Sequence, residues 1–155
     1  MKLMQRNVLI GLASLGSLAL LVGAFGFQHL GGLPPCKLCI WQRYPHALAV
    51  LIGVAAVAIR GRLLPLLGLA AALTTAGVGL YHTGVERGWW EGPTTCTSSG
   101  TSGLSADDLF DKIMTAPVVR CDDVAWELLG LSMASWNGIL SLGLAALWFL
   151  AYRRS

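Results

Sequence analysis

Residues 7–28 read NVLIGLASLGSLALLVGAFGFQ, 22 residues without a single charged side chain. As an α-helix rising 1.5 Å per residue the run reaches about 33 Å, enough for a hydrocarbon core of about 30 Å. Lys2 and Arg6 stand ahead of it, a layout that a cleaved signal peptide shares. The apolar region of a signal peptide is only about 7–15 residues long and closes on a small-residue cleavage site, and neither feature fits. The run therefore predicts a retained membrane-spanning helix.

Three more uncharged runs follow. Residues 44–59 are short alone, but a helix starting near Cys36 gives a span over about 36–59. Spans over about 63–81 and 136–152 complete the set, and the polar stretch between them, 82–135, holds all eight acidic residues. The expected fold is an all-α membrane protein, a single domain over residues 1–155. It is a four-transmembrane-helix bundle with loops at about 29–35 and 82–135. Ser105 reads as a helix cap followed by Asp107 and Asp108, with Leu109, Phe110, Ile113 and Met114 as one apolar face. Residues 122–133 read as a second short helix lying on the bilayer surface. That helix is expected to hold Cys121 near the membrane plane, within reach of Cys36.

Composition agrees. Of 155 residues 55% are hydrophobic and 12% charged, about half the usual ~25% charge. Disorder is excluded, because it needs low hydrophobicity and high net charge. An ordinary soluble domain lacks the charges to cover its surface. Four cysteines are too few for a small disulfide-stapled secreted module.

The charges also set orientation. Lys2, Arg6, Arg60, Arg62, Arg153 and Arg154 flank the spans on one side with no acid among them. Lys and Arg mark the cytoplasmic side, so both termini are expected there, in the inner membrane of a bacterium. The two larger loops then face the periplasm of a Gram-negative cell. Trp89, Trp90, Trp126 and Trp136 fall near the outward boundary and Trp148 near the inward one, as an aromatic belt requires.

All four cysteines fall on the outward side: Cys36 and Cys39 as a C-x-x-C at the mouth of the second span, Cys96 and Cys121 in the long loop. An even count in an oxidising compartment reads first as inert structural disulfides. The C-x-x-C spacing argues for redox chemistry instead. Zinc is disfavoured, since Cys96 and Cys121 lack C-x-x-C partners of their own. Covalent haem is excluded at this motif because Ile40, not His, follows the second cysteine.

Pro34 and Pro35 fit a helix start at Cys36, which puts the pair in the first turn. Unpaired N–H groups and the helix dipole stabilise a thiolate there. Arg43, four residues after Cys39, shares its helical face and suits a thiolate or an anionic reduced cofactor; the bland alternative is a snorkelling arginine. Cys96 lies in a Gly-, Ser- and Thr-rich run suited to attack by an outside thiol. Two cysteine pairs on one membrane face suggest a relay by thiol–disulfide exchange that ends on a lipid-soluble quinone. His82 is placed to donate to a quinone oxygen, or is an interface histidine without a ligand. Four cysteines allow three pairings, and spacing does not choose among them.

With these residues in view the chain resembles the disulfide bond formation protein B (DsbB) family of quinone-linked thiol oxidases. The matching segments are Phe27-Gln28-His29, Cys36-Lys37-Leu38-Cys39-Ile40-Trp41-Gln42-Arg43, His82-Thr83, Cys121 to Trp126 and Leu129-Gly130-Leu131-Ser132-Met133. The resemblance implies an enzyme that reoxidises a DsbA-like thioredoxin-fold dithiol partner and passes the electrons to ubiquinone or menaquinone, with no metal and no nucleic acid involved. DsbA, DsbB and quinone together keep the bacterial periplasm oxidising. It further implies that Cys96 forms the mixed disulfide with the partner, that Cys121 exchanges with Cys36, and that Cys39 faces the quinone as a charge-transfer thiolate. Arg43, His82, Met133 and Trp126 match positions around the quinone. Gln42 departs from the pattern, since some members carry an acid there.

Three rivals stand beside this reading. A vitamin K epoxide reductase-like protein has the same parts, but its loop cysteines precede the C-x-x-C. A b-type haem anchor would use His46 and His82 facing one cavity. A purely structural scaffold with four stapled cysteines would turn nothing over.

Overall fold

In a computed structural model the chain is described at residues 2–93, 105, 107, 110, 114 and 119–155. Cys96, its Gly/Ser-rich surroundings, and Asp108, Leu109 and Ile113 of the expected loop helix lie outside the described residues. Asp107, Phe110 and Met114 are helical, and Phe110 and Met114 are exposed.

Four long helices stand among the described residues: α1 (Lys2–His29), α2 (Lys37–Ala58), α3 (Leu63–Glu86) and α4 (Met133–Arg153). Three of them, α1, α3 and α4, are long and apolar enough to cross a membrane. The first half of α2 carries Lys37, Gln42, Arg43, Pro45 and His46 and is correspondingly less apolar. The helices outrun the uncharged stretches because their ends are capped by polar groups. Ser132 Oγ accepts from Ser135 N at 3.2 Å and starts α4. Gly88, at φ 67°, closes α3 with Trp89 N–H bonded to Gly84 O at 2.8 Å, a left-handed C-terminal cap.

Each helix packs chiefly on two neighbours, giving a ring in the order α1, α2, α3, α4, with α3 against α4 the most extensive seam. Small residues permit that seam. A Cβ at Gly79 would fall 2.9 Å from Gly138 N and 3.1 Å from Ala134 O, so only glycine lets the two backbones approach this closely. Leu15, Val22, Leu51 and Val54 are exposed on the outside of the ring, as lipid-facing side chains are.

Two sequence readings change at the end of the ring where α1 starts and α4 finishes. Trp148 is not a belt residue. It is fully buried in a cluster with Ile10, Ala13, Ile52, Ala56, Ala72 and Ala145. The missing side chain at Gly68 makes the room, since a Cβ there would lie 2.5 Å from the Trp148 ring. Arg6 is not merely a topogenic charge. It is buried within α1, and its guanidinium donates to Ala56 O at 3.0 Å and Gly61 O at 3.2 Å. It thereby satisfies carbonyls at the open C-terminal end of α2.

The reading of 122–133 as a surface helix is corrected. Residues 122–126 carry no helix, and 127–132 form an antiparallel hairpin, β1 (Glu127–Leu128) and β2 (Leu131–Ser132), paired Glu127 to Ser132 and Leu128 to Leu131. Its two-residue turn, Leu129 at φ 56° and Gly130 at φ 74°, takes the positive dihedrals that match strand twist in tight hairpins. Leu-Gly is not a usual sequence for that turn, and the leucines mimic an amphipathic helix. The fold is thus nearly all helical rather than all-α.

Candidate active site

The prolines at 34 and 35 end the extended approach, and Cys36 becomes the N-cap of α2 with extended dihedrals, φ −72° and ψ 171°. Its Sγ accepts from the Cys39 backbone N–H at 3.2 Å. Cys39 follows one turn along, and the two sulfurs, both free, lie 2.9 Å apart. The dithiol thus sits at the positive end of a helix, where a thiolate is favoured.

Cys121 is buried against this pair, in a cluster with Cys36, Leu38 and Val85, and is held in a disulfide. It lies there on irregular chain that leads into the hairpin, not ahead of a surface helix. The segment from 119 to 126 lies over the mouth of α2, and Trp126 packs on Phe27 with ring centroids 5.0 Å apart.

His82 is buried near the end of α3 and stands beside both Cys36 and Cys121. Its Nε2 lies 3.6 Å from Cys36 Sγ and 3.1 Å from Cys121 O. The Gln42 amide donates to Leu38 O at 3.2 Å and to His82 Nδ1 at 3.0 Å. Nδ1 therefore accepts, and the hydrogen of the neutral ring sits on Nε2, facing the cysteines. Glu86, one turn further along α3, brings a carboxylate oxygen 3.8 Å from His82 Nε2, and Ser132 Oγ donates to its other oxygen. The polar line continues through Ser135 Oγ to Thr83 Oγ1, each step 3.1 Å.

Arg43 turns toward α1. Its guanidinium donates to Gln28 Oε1 at 2.6 Å and Ala24 O at 3.3 Å and lies 4.8 Å over the Phe25 ring. Its Nε is buried without a partner among the described residues. Cys36, Cys39, Arg43, His82, Trp126 and Met133 all line one cavity of about 370 Å³, walled also by α1 through Ala24 and Phe27 and by α4 through Asn137. So the structure brings together every described residue that the sequence singled out. It does not bring Arg43 into hydrogen-bond contact with Cys39.

Sequence reasoning missed Glu86, and saw Gln42 only as a departure and His46 only as part of the haem rival. The spacing of Glu86 four residues after His82 on one helix was the available signal. The Gln42 contact depends on how α2 and α3 face each other, which no local pattern records.

Cys36 Sγ, Cys39 Sγ and a His82 ring nitrogen all lie within 4.8 Å of one another, a grouping a metal ion can use. The sulfurs would have to part, because two thiolates on tetrahedral zinc stand about 3.8 Å apart. For haem, His46 and His82 do line one cavity. Their Nε2 atoms are engaged, with Asn137 Oδ1 at 2.9 Å and Cys121 O at 3.1 Å.

A ring of long apolar helices with a dithiol on the wall of an internal cavity defines a membrane protein of thiol–disulfide chemistry. The chain belongs to the disulfide bond formation protein DsbB family, whose pattern it matches over residues 6–151. It is 34% identical over 149 residues to the disulfide bond formation protein B of Polaromonas sp., covering 92% of this chain and 87% of that one. It is 38% identical over 136 residues to the protein of that name from Methylococcus capsulatus, covering 83% and 82%. The corresponding protein of Dechloromonas aromatica is 33% identical over 150 residues, covering 90% and 88%. No solved structure gives a significant match.

Proposed function

We propose that the protein is a membrane thiol oxidase that reoxidises a DsbA-like thioredoxin-fold partner and passes the electrons to a membrane quinone. All four long helices, taken as one domain over residues 1–155, cross the bacterial inner membrane in this reading. Both termini are cytoplasmic and the cysteines periplasmic. The observation that carries it is the free Cys36–Cys39 pair on the wall of a cavity, with the disulfide-bonded Cys121 packed against Cys36.

The partner's thiolate attacks the Cys96–Cys121 disulfide at Cys96, and Cys121 leaves as a thiolate. Resolution of that mixed disulfide oxidises the partner. The Cys121 thiolate then attacks an oxidised Cys36–Cys39 pair at Cys36, Cys39 leaves as a thiolate, and Cys96 attacks Cys121, which restores the Cys96–Cys121 disulfide and leaves Cys36 and Cys39 as a dithiol. That dithiol closes again to a disulfide. Two S–H bonds break and one S–S bond forms, so two electrons and two protons leave the dithiol. His82 Nε2, 3.6 Å from Cys36 Sγ, sits where those protons pass, and Glu86 and Gln42 hold it in position.

The cavity fits a quinone. Its wall is mostly apolar, and the unpartnered Arg43 Nε–H supplies a donor for a carbonyl oxygen. Arg43, Met133 and Trp126 would hold the ring beside Cys39. Bound there, ubiquinone or menaquinone supplies a two-electron, two-proton sink. The test combines purified protein, a reduced thioredoxin-fold dithiol and a short-chain ubiquinone, followed by quinone absorbance. Partner-dependent loss of quinone is expected; none above background overturns the proposal.

A further inference from the structure

A line of hydrogen bonds crosses the middle of the bundle and ends on an atom without a partner. Thr75 Oγ1 donates to Gln42 O at 3.1 Å, so its lone pair receives the Asn137 amide N–H, also at 3.1 Å. Asn137 must then turn Oδ1 toward His46 Nε2, 2.9 Å away. A carbonyl oxygen only accepts, so Nε2 carries the hydrogen and the ring's lone pair is at Nδ1. His46 is 3% exposed and lines the cavity. Its Nδ1 has no hydrogen-bond partner among the described residues. A buried acceptor left unpaired costs stability, and a histidine inside a membrane helix marks a functional position.

We infer that the inner end of the cavity, at His46, is an acceptor subsite for a hydroxyl donor, and that it selects the product quinol over the quinone. This rests on the quinone reading above. Quinone ring oxygens only accept and gain nothing at a bare Nδ1, whereas a quinol hydroxyl donates to it. His46 lies three residues beyond Arg43, so α2 presents a donor and then an acceptor along one wall. The reaction's balance is unchanged: the dithiol loses two electrons and two protons, the quinone gains them, and His46 keeps neither. What changes is the driving force. A ten-fold preference for quinol raises the potential of the bound two-electron couple by about 30 mV.

The test is a binding measurement. The protein with Cys36 and Cys39 oxidised, which has no electrons to give, is equilibrated by dialysis in detergent with a short-chain ubiquinone or its quinol. The wild type is expected to hold the quinol about three- to ten-fold more tightly, the range of one neutral hydrogen bond. His46→Leu is expected to lose that preference while its quinone affinity stays within about two-fold. Equal wild-type affinities for the two forms overturn the inference and leave the quinone reading standing, whatever becomes of the variant. So does a His46→Leu protein that weakens both equally. Binding of neither form overturns both readings.

Discussion

The Gln42 side-chain amide donates to His82 Nδ1 at 3.0 Å, and this bond decides which imidazole nitrogen meets the cysteines. With Nδ1 occupied as an acceptor, the N–H at Nε2 points to Cys121 O and toward Cys36 Sγ. An acid at position 42 would accept at Nδ1 instead and reverse the tautomer. In this chain the carboxylate stands on the other side of the ring, at Glu86.

Glu86→Gln is therefore expected to slow dithiol oxidation by about 100-fold, the low end of acid–base contributions, with the KM for quinone unchanged. Stopped-flow measurement of quinone loss separates the two. Glu86 also lines the cavity, so a changed KM at constant rate would make its role quinone binding rather than support of His82.

Arg43→Ala is expected to raise the KM for quinone by about ten-fold or more, as loss of a charged hydrogen bond does. Gln28→Leu should act in the same direction more weakly, because Gln28 Oε1 holds the guanidinium at 2.6 Å. Partner binding, followed by titration with the oxidised partner, should be unaffected in both. Lost partner binding with a normal KM counts against this role.

Cys121→Ser, mixed with the partner in its disulfide form, is expected to hold it in a mixed disulfide, as the Cys96 thiolate attacks and one partner sulfur leaves as a thiolate; Cys96→Ser is expected to hold none. The adduct is visible as a shifted band on a non-reducing gel. Trapping through Cys36 would reverse the order of the relay.

Gly79→Leu should cost about 1–3 kcal/mol of bundle stability, the usual penalty for overpacking. A Cβ there meets the α4 backbone at 2.9 Å. Gly77, two residues earlier, has nothing within 4 Å of its Cβ position, so Gly77→Leu is the control. Thermal unfolding in detergent should separate the pair; equal midpoints would sink the close-seam account.

Much of the fold was legible because uncharged runs and helix length are local properties. The Cys36–Cys39 helix start could be read from Pro34 and Pro35 for the same reason. The unread features depend on facing surfaces. Trp148 reads as a belt residue until Gly68 is seen opposite it. Arg6 reads as a flanking charge until the end of α2 lies beside it. The hairpin was hidden because Leu129 takes a left-handed conformation that leucine rarely adopts, while its neighbours space like a helix. His82 was found by position, but its partners Gln42 and Glu86 required knowing the rotation of α2 against α3.

Cys121 is wholly buried and Cys36 only 5% exposed. Among the described residues, the Cys121 and Cys36 sulfurs where loop and helix meet are therefore covered from the surrounding water. The junction is insulated, much as a wire is sheathed between its two terminals. In the proposed relay, electrons would enter where the partner docks and leave into the lipid, with this covered junction between the two.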